Sequence, residues 1–297
     1  MRVSKLAGMP WLTALAGLAM SGLSTTASAD YLFEFTGDYA IDVEQTNDLL
    51  YAVGEERTPQ AWDANARLYF SPIEDGEVIR GEAAFISRTS SAALGYSKNP
   101  YANVAEKNGY SGNVELFIGD GVIGATYTSN EYGNTDLEAL LLEFGYHVGA
   151  NTRLSIVRGT DVIASEFQAM GAPNNLDSES LGFNIRWLSG TAGPAVALEA
   201  AVNVVDVDMG SAKLSEEELD LGFAADVYVT RDISLSVNVS KANLDEVDFE
   251  RFGIGAEWFI IPKLAIGVRY SNTDAEIRDI GLVAEEKIYA ATLTGRL

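Results

Sequence analysis

The sequence predicts an all-β protein that forms one transmembrane antiparallel up-and-down β-barrel of about 14 strands, within a range of about 12 to 16. Apolar and polar residues alternate through segment 219–239, with a polar interruption at 230–232, which predicts an amphipathic hairpin. Similar hairpins recur through residues 30–297. No segment of that region approaches the ~18 consecutive apolar residues that a membrane helix needs. Strands are therefore the elements expected to cross a membrane.

The first 29 residues have the pattern of a cleaved signal peptide. Arg2 and Lys5 form a positive start, residues 11–20 form a short apolar core, and Ala27 and Ala29 define a cleavage site of the A-x-A type. We therefore expect export and a mature chain of residues 30–297 that forms a single β domain.

Charge and cysteine content exclude several kinds of partner. Residues 30–297 contain 18 Lys and Arg against 43 Asp and Glu, a formal net charge of −25, and cysteine is absent. This balance argues against nucleic acid and against a polybasic membrane-binding surface. It also excludes a disulfide framework and a thiolate metal site. Acidity on this scale fits a preference for cations.

The predicted strands follow one another in hairpins whose connections alternate in length. The connections after even-numbered strands are short, as at 72–77, whereas those after odd-numbered strands are mostly longer and polar, including 89–109 and 159–178. Short periplasmic turns and longer external loops are typical of transmembrane barrels. The fourteen predicted strands cover residues 31–42, 62–70, 79–88, 110–118, 122–129, 140–148, 153–158, 181–187, 196–205, 219–229, 233–239, 252–260, 264–271 and 287–297.

Aromatic residues recur where the even-numbered strands end. Such rings favour the boundary between apolar lipid and water, so we expect a periplasmic belt. A barrel of this size is too wide for side chains to fill, since ~8 strands already give the filled size, so the apolar face is expected to point outward. A soluble periplasmic β-rich protein is the alternative. The belt is predicted to contain Tyr69, Phe70, Phe117, Phe144, Tyr146, Trp187, Tyr228, Trp258 and Phe259.

The last strand carries the most informative resemblance. Tyr289, Ala291, Leu293, Gly295 and Leu297 keep the alternation to the C-terminus. In this architecture the chain resembles Gram-negative outer-membrane porins, although no subfamily is matched. Such proteins usually end in an aromatic residue that the barrel-assembly machinery reads, and here a leucine stands in its place. The resemblance implies residence in the Gram-negative outer membrane, contact with lipid and lipopolysaccharide, and assistance from that machinery.

The polar face of the strands would then line the pore. Charges of both signs on facing walls suit hydrated solutes and tune ion selectivity. We therefore expect a channel for passive diffusion of small hydrophilic solutes or ions, with a mild preference for cations. A non-conducting structural or adhesive barrel is the alternative. The predicted pore-lining residues are Glu34, Asp38, Asp63, Arg67, Arg80, Glu82, Glu115, Glu143, Arg153, Arg186, Glu199, Asp220, Asp226, Arg251, Glu257 and Arg269.

A gate, if present, is expected in a long external loop. The first predicted strand begins almost directly after the predicted cleavage site, which leaves no room for a plug domain there. The candidates are segments 159–178 and 89–109, and segment 159–178 holds Asp161 and Glu166 and could fold inward as a constriction. Nothing in the sequence indicates the solute or the oligomeric state.

Three motifs point to chemistry and are set aside. Residues 119–124 match the dinucleotide pattern G-x-G-x-x-G, but a strand follows where a helix is required. The acidic loop 206–218 lacks the ligand spacing of a calcium-binding EF-hand. His147 is the only histidine, and its depth argues against a catalytic triad with Ser111 or Ser155. We therefore expect no enzymatic activity, no cofactor and no metal site.

Overall fold

Fourteen strands close on themselves in the part of the chain that a computed structural model describes, namely residues 30–47, 61–74, 76, 78–100, 106–132, 135–165, 175–208, 215–243, 247–277 and 282–297. The predicted signal peptide lies outside these residues. The strands are β1 (Tyr31–Asn47), β2 (Trp62–Ile73), β3 (Ser91–Pro100), β4 (Glu106–Ile118), β5 (Gly121–Tyr132), β6 (Thr135–Val148), β7 (Thr152–Ser165), β8 (Asn175–Leu188), β9 (Ala195–Asp208), β10 (Ser215–Thr230), β11 (Ile233–Asn243), β12 (Val247–Ile261), β13 (Leu264–Ile277) and β14 (Leu282–Arg296).

Each strand pairs with its two neighbours in sequence, and β14 pairs with β1 to complete the ring. At the seam, the backbone N–H groups of Leu32 and Phe33 both donate to the carbonyl of Leu297, at 2.7 and 2.9 Å. A closed antiparallel ring leaves no strand edge unpaired, which is the condition for crossing a lipid bilayer. The predicted up-and-down barrel of about 14 strands is therefore confirmed.

The apolar face of the barrel points outward, as predicted. Large apolar side chains on alternate positions are exposed, with Leu94 at 72% and Ile118 at 69%. Since a soluble protein rarely leaves apolar patches larger than a few hundred Å² in water, a continuous belt of this kind indicates a lipid environment. In the same part of the chain that the structure describes, no helix is long and apolar enough to cross a membrane.

Aromatic side chains flank the outward apolar face at both ends. Phe70, Phe144 and Tyr146 are exposed near the predicted periplasmic end, where β1 begins and β14 ends. At the opposite end, the ring of Tyr96 lies 5.1 Å from Trp62 and 5.2 Å from Tyr110, measured between centroids. These rings form the two girdles expected of a transmembrane barrel.

The third predicted strand is wrong. Residues 79–88 do not form a strand; they contain a 3-10 turn, Arg80–Glu82, and the short helix α1, Ala83–Ser87. The strand that follows β2 is β3, which occupies part of the predicted loop 89–109. The physical reason is composition, because β3 alternates small and polar residues and gives a weak strand pattern. The apolar run Ala83 to Ile86 is too short for periodicity to distinguish a strand from a helical turn.

The predicted external loop 159–178 is largely strand. β7 continues to Ser165 and β8 begins at Asn175, and the pairing of Asp161 with Ser178 belongs to their ladder. Strand pairing continues past the apolar belt, where polar composition hides it from a pattern based on hydrophobicity. Glu166 lies outside the described residues, so a constriction at Asp161 and Glu166 stays a prediction.

Candidate functional site

The connection between β2 and β3 folds back into the barrel at the end where β1 begins and β14 ends, which is the predicted periplasmic end. Within residues 78–89, here called the plug, Ile79 and Ala83 are 0% and 1% exposed, and the charged Arg80 and Glu82 are also buried. A short segment can reach such burial only when the barrel wall surrounds it. The predicted pore-lining residues Arg80 and Glu82 therefore belong to the plug and not to a strand of the wall.

The local conformation of the plug follows from a few residues. Gly81 lies against Tyr228, and a β-carbon at this position would come 3.1 Å from the tyrosine ring. Arg88 ends α1 in the left-handed region, at φ 51°, where a residue other than glycine is strained by about 1–3 kcal/mol. That strain persists because the guanidinium of Arg88 binds the carboxylate of Asp120 and the carbonyl of Gly149. Both partners lie in tight turns of the wall.

Two apolar clusters hold the plug to different sides of the barrel. Ile79 packs with Leu188 and Tyr228, on the wall formed by β8, β9 and β10. Ala83 packs with Tyr31 and Tyr69, on the wall formed by β1 and β2. In a ring of fourteen strands, β1 and β8 lie half a circumference apart. The plug therefore bridges opposite walls of the periplasmic mouth.

A buried carboxylate forms the strongest polar contact of the plug. Glu82 is 1% exposed, and both of its oxygens accept from Arg186 Nη2, at 2.7 and 2.8 Å. The hydroxyl of Tyr228 donates to the same carboxylate at 2.6 Å. Glu199 of the wall lies 3.7 Å from the Arg186 guanidinium. We call Glu82, Arg186 and Tyr228 the Glu82 latch, since they join the plug to β8 and β10.

A second polar attachment extends from the turn after β10 to the seam between β14 and β1. The guanidinium of Arg80 pairs with Asp232, in the turn between β10 and β11. Its backbone carbonyl accepts from Arg296 Nη2 at 3.0 Å. Arg296 in turn donates to Glu34 at 2.8 Å, and its guanidinium carbon lies 4.5 Å from the centroid of the Tyr31 ring. Charged groups of the plug are thus fixed from β1, β14 and a turn.

Only isolated backbone hydrogen bonds join the plug to the wall among the described residues. The N–H of Ile79 donates to the carbonyl of Thr191 at 3.0 Å, and the N–H of Arg80 donates to the carbonyl of Arg231 at 3.1 Å. By contrast, β2 and β3 pair directly with each other, up to Tyr69 and Ser91. The barrel is therefore closed by hydrogen bonds between its strands, and the plug takes no part in that pairing.

Several aromatic residues assigned to the periplasmic belt instead point inward. Tyr69, Tyr228 and Phe259 are buried, whereas their chain neighbours Phe70 and Trp258 are exposed to the outside. Period two explains this division, because adjacent residues of a strand point to opposite faces. The belt prediction is wrong for the inward residues, which contribute to the socket around the plug. Adjacent aromatic pairs at one level of the barrel are the sequence signal that would have indicated a filled mouth.

The remaining predicted pore-lining residues lie on strands of the wall, on the polar face. Many of them pair across strands: Arg153 binds Glu115 at 3.2 Å and Glu143 at 2.5 Å. Arg269 pairs with Asp38 in the same way. Other polar contacts are weaker, such as the amide of Asn203 with Asp220 at 3.4 Å and Arg67 with the Ser91 hydroxyl at 3.0 Å. Arg251 is exposed.

Some inner acids have no cationic partner. Among the described residues, no Lys, Arg or His nitrogen lies within 4 Å of the carboxylates of Asp63, Asp226 and Glu257. The charged groups that act electrostatically on Asp226 are Glu82, Arg186 and Glu199. Asp226 and Glu257 therefore add negative charge to the inner face next to the plug, whereas Asp63 lies at the opposite end of β2. No cluster of metal-ligating residues occurs in the ranges that the structure covers.

Comparison with known proteins supports the fold. No family model and no curated protein matches the chain. Among solved structures, the outer membrane protein Omp33 of Acinetobacter baumannii has a TM-score of 0.55 at 16% identity, covering 91% of this chain and 100% of its own. The monoaromatic hydrocarbon channel CymD has a TM-score of 0.50 at 11% identity, covering 90% of this chain and 89% of its own. At these identities the likeness shows the shared barrel fold.

Proposed function

We propose that the protein is a porin-like channel of the Gram-negative outer membrane for passive diffusion of small hydrophilic solutes or ions, and that the plug is its gate. The observation that carries the proposal is a wide barrel with a charged inner face whose periplasmic mouth is bridged by a segment outside the strand ladders. A barrel of about 14 strands is wider than its wall side chains can fill. Passage therefore depends on where the plug lies.

The plug is suited to move because the wall does not need it. β2 and β3 pair directly, so displacement of residues 78–89 breaks no ladder bond between these strands. The segment is held by the Glu82 latch, the Arg80 and Arg88 ion pairs, and two apolar clusters. Contacts of this kind can exchange for water one group at a time. The plug can therefore open the mouth while the barrel stays folded.

The charges of the inner face favour cations over anions. Arg153 is shared by two carboxylates, and Arg186 is also shared by two, so the acids outnumber their partners. Asp226 and Glu257 add negative charge next to the plug. A low-dielectric wall with excess negative charge raises the local concentration of cations. This supports the mild cation preference.

A non-conducting structural or adhesive barrel is the second candidate. The observation that favours it is the buried, fully hydrogen-bonded Glu82 latch, which would hold the mouth closed permanently if no condition released it. A soluble periplasmic protein is disfavoured by the exposed apolar belt. In the outer membrane, that belt would contact lipid and lipopolysaccharide.

Planar-bilayer recording of the refolded protein across a salt gradient separates these candidates. We expect discrete, mostly closed channels whose reversal potential has the sign of cation selectivity. An anion-selective reversal potential would overturn the charge assignment. Silence of both the native protein and a variant with a weakened latch, Glu82→Gln, would favour the structural barrel.

A further inference from the structure

The only histidine of the chain lies between the plug and the wall. His147, near the periplasmic end of β6, is 1% exposed. The centroid of its ring lies 5.2 Å from that of Phe85, in α1 of the plug, and 5.7 Å from that of Phe117, in β4. The imidazole thus lies in an aromatic slot between Phe85 of the plug and Phe117 of the wall. Displacement of α1 from the wall would uncover it.

Both ring nitrogens of His147 are buried without a hydrogen-bond partner. A neutral imidazole tolerates such an apolar slot, whereas a charged imidazolium needs two acceptors and solvent. The backbone N–H of His147 is satisfied separately, since it donates to the carbonyl of Asp120 at 2.8 Å. The closed plug therefore selects the neutral form of this side chain.

The charged groups that face His147 make a positive ring still less favourable there. Arg88 faces it from the plug, Arg153 from β7, and Asp120 from the turn between β4 and β5. Asp120 already pairs with Arg88, and Arg153 is already held by Glu115 and Glu143. A proton on His147 would add a third positive charge beside two guanidinium groups. Like charges at close range repel, and water entry is the simplest relief.

We propose that His147 is a proton-operated release for the plug, so that acid opens the periplasmic mouth. Protonation of the imidazole drives Phe85 and Arg88 away from the wall, and the opened slot admits water to the ring. The inference rests on the proposed function, since it assigns a trigger to the same gate. It uses residues other than those of the Glu82 latch, and the two meet at Phe85, whose ring centroid lies 5.0 Å from the guanidinium carbon of Arg186.

Linkage sets the direction and the limit of the effect. A state that binds a proton better gains population as pH falls, and one titrating group can shift an equilibrium by at most tenfold per pH unit. The closed state excludes the proton and the open state solvates it. We therefore expect the ratio of open to closed channels to rise by about tenfold or more between pH 7.5 and pH 5.

The test compares the native protein with His147→Phe, which keeps a flat ring of similar size but cannot titrate. Single-channel open probability is recorded in planar bilayers from pH 7.5 to pH 5, with both chambers at the same pH. We expect the acid-induced opening in the native protein and its loss in the variant. His147→Arg, which is always charged, is expected to be open at every pH. Heat-modifiable migration in gels checks that each variant has folded.

Two outcomes would overturn the switch. The same acid-induced opening in His147→Phe would assign the effect to carboxylates of the mouth, and a pH-independent native channel would remove the effect itself. In either case conduction by Glu82→Gln would leave the proposed channel intact. If the native protein, Glu82→Gln and a variant whose plug is replaced by a short turn all conduct no current at any pH, the proposed function is contradicted, and the switch with it.

Discussion

The barrel wall and the plug use similar residues in opposite ways. In the wall, apolar side chains face lipid, and each strand is fixed by backbone ladders to two neighbours. In the plug, Ile79 and Ala83 are buried inside the barrel, and side-chain contacts do most of the holding. The stability of the barrel and the closure of its mouth are therefore separable properties. Changes in the plug should alter conductance while leaving the folded barrel in place.

The charged residues of the wall and of the plug also differ, in how deeply they are buried. An outer pair such as Arg158 with Glu179, 3.0 Å apart, has both side chains more than 60% exposed. The Glu82 carboxylate in the plug is almost completely buried and needs Arg186 and Tyr228 to compensate for lost hydration. Exposed pairs contribute about 0–1 kcal/mol, whereas removal of one partner of a buried pair costs several times more. Buried plug charges are thus the sensitive points.

Replacement of the plug should produce the largest change. When residues 74–88 are exchanged for a short Asn-Gly turn between β2 and β3, we expect a severalfold higher conductance and loss of gating, because the bridge across the mouth is gone. Single-channel recording measures both. A parallel variant that lacks residues 166–174, between β7 and β8, tests the predicted constriction at Asp161 and Glu166 separately. A higher conductance in that variant, with no change on replacement of the plug, would place the constriction in the external loop.

Weakening the Glu82 latch should have an intermediate effect. Glu82→Gln keeps the size of the side chain but removes its charge, leaving Arg186 with only Glu199 at 3.7 Å. We expect the closed state to lose about 1–3 kcal/mol, which corresponds to an open-to-closed ratio about 5- to 150-fold higher. Glu179→Gln, in the exposed pair, should leave gating unchanged. Equal effects of both variants would show that burial of the latch does not matter.

Neutralising an inner acid should have the smallest effect. Asp226→Asn, alone or with Glu257→Gln, should move the reversal potential in a salt gradient toward zero, because excess negative charge next to the plug is removed. Glu250→Gln, on the outer face of β12 and paired with Lys241, is the control and should not change selectivity. A reversal potential that changes in Glu250→Gln but not in the Asp226 and Glu257 variants would contradict the assignment of these residues to the outer and inner faces.

The wall could be predicted from the sequence because every strand repeats one physical rule. Period-two alternation, turn residues and outward aromatics such as Phe144 define it without knowledge of the partners. The pattern misses β3 altogether, and it misses the strand ends where β4, β7 and β8 run beyond the apolar belt. Beyond the belt, hydrophobic alternation no longer identifies a strand, because both faces of the sheet contact water.

The plug could not be predicted because its pattern imitates that of a strand. Residues 79–88 include the apolar run 83–86, which periodicity cannot assign to a strand or a helix, and only tertiary contacts with Tyr228 and Arg186 give the segment its inward fold. The inward direction of polar wall residues such as Asp226 can be predicted, because alternate residues of a strand point to the same face. Which of them pair, and which remain without a cation, depends on distances between strands that are far apart in sequence.

A reversible lock of the plug tests its gating role most directly. The chain has no cysteine, and the N–H of Ile79 lies 3.0 Å from the carbonyl of Thr191, which brings the two α-carbons near the roughly 4.4–6.8 Å range of disulfides. In a Glu82→Gln background, Ile79→Cys and Thr191→Cys are combined, with each single cysteine as a control. We expect oxidation to abolish conductance and a reductant to restore it in the double variant alone. Undiminished conductance through the fully oxidised protein would contradict the assignment of the plug as the gate.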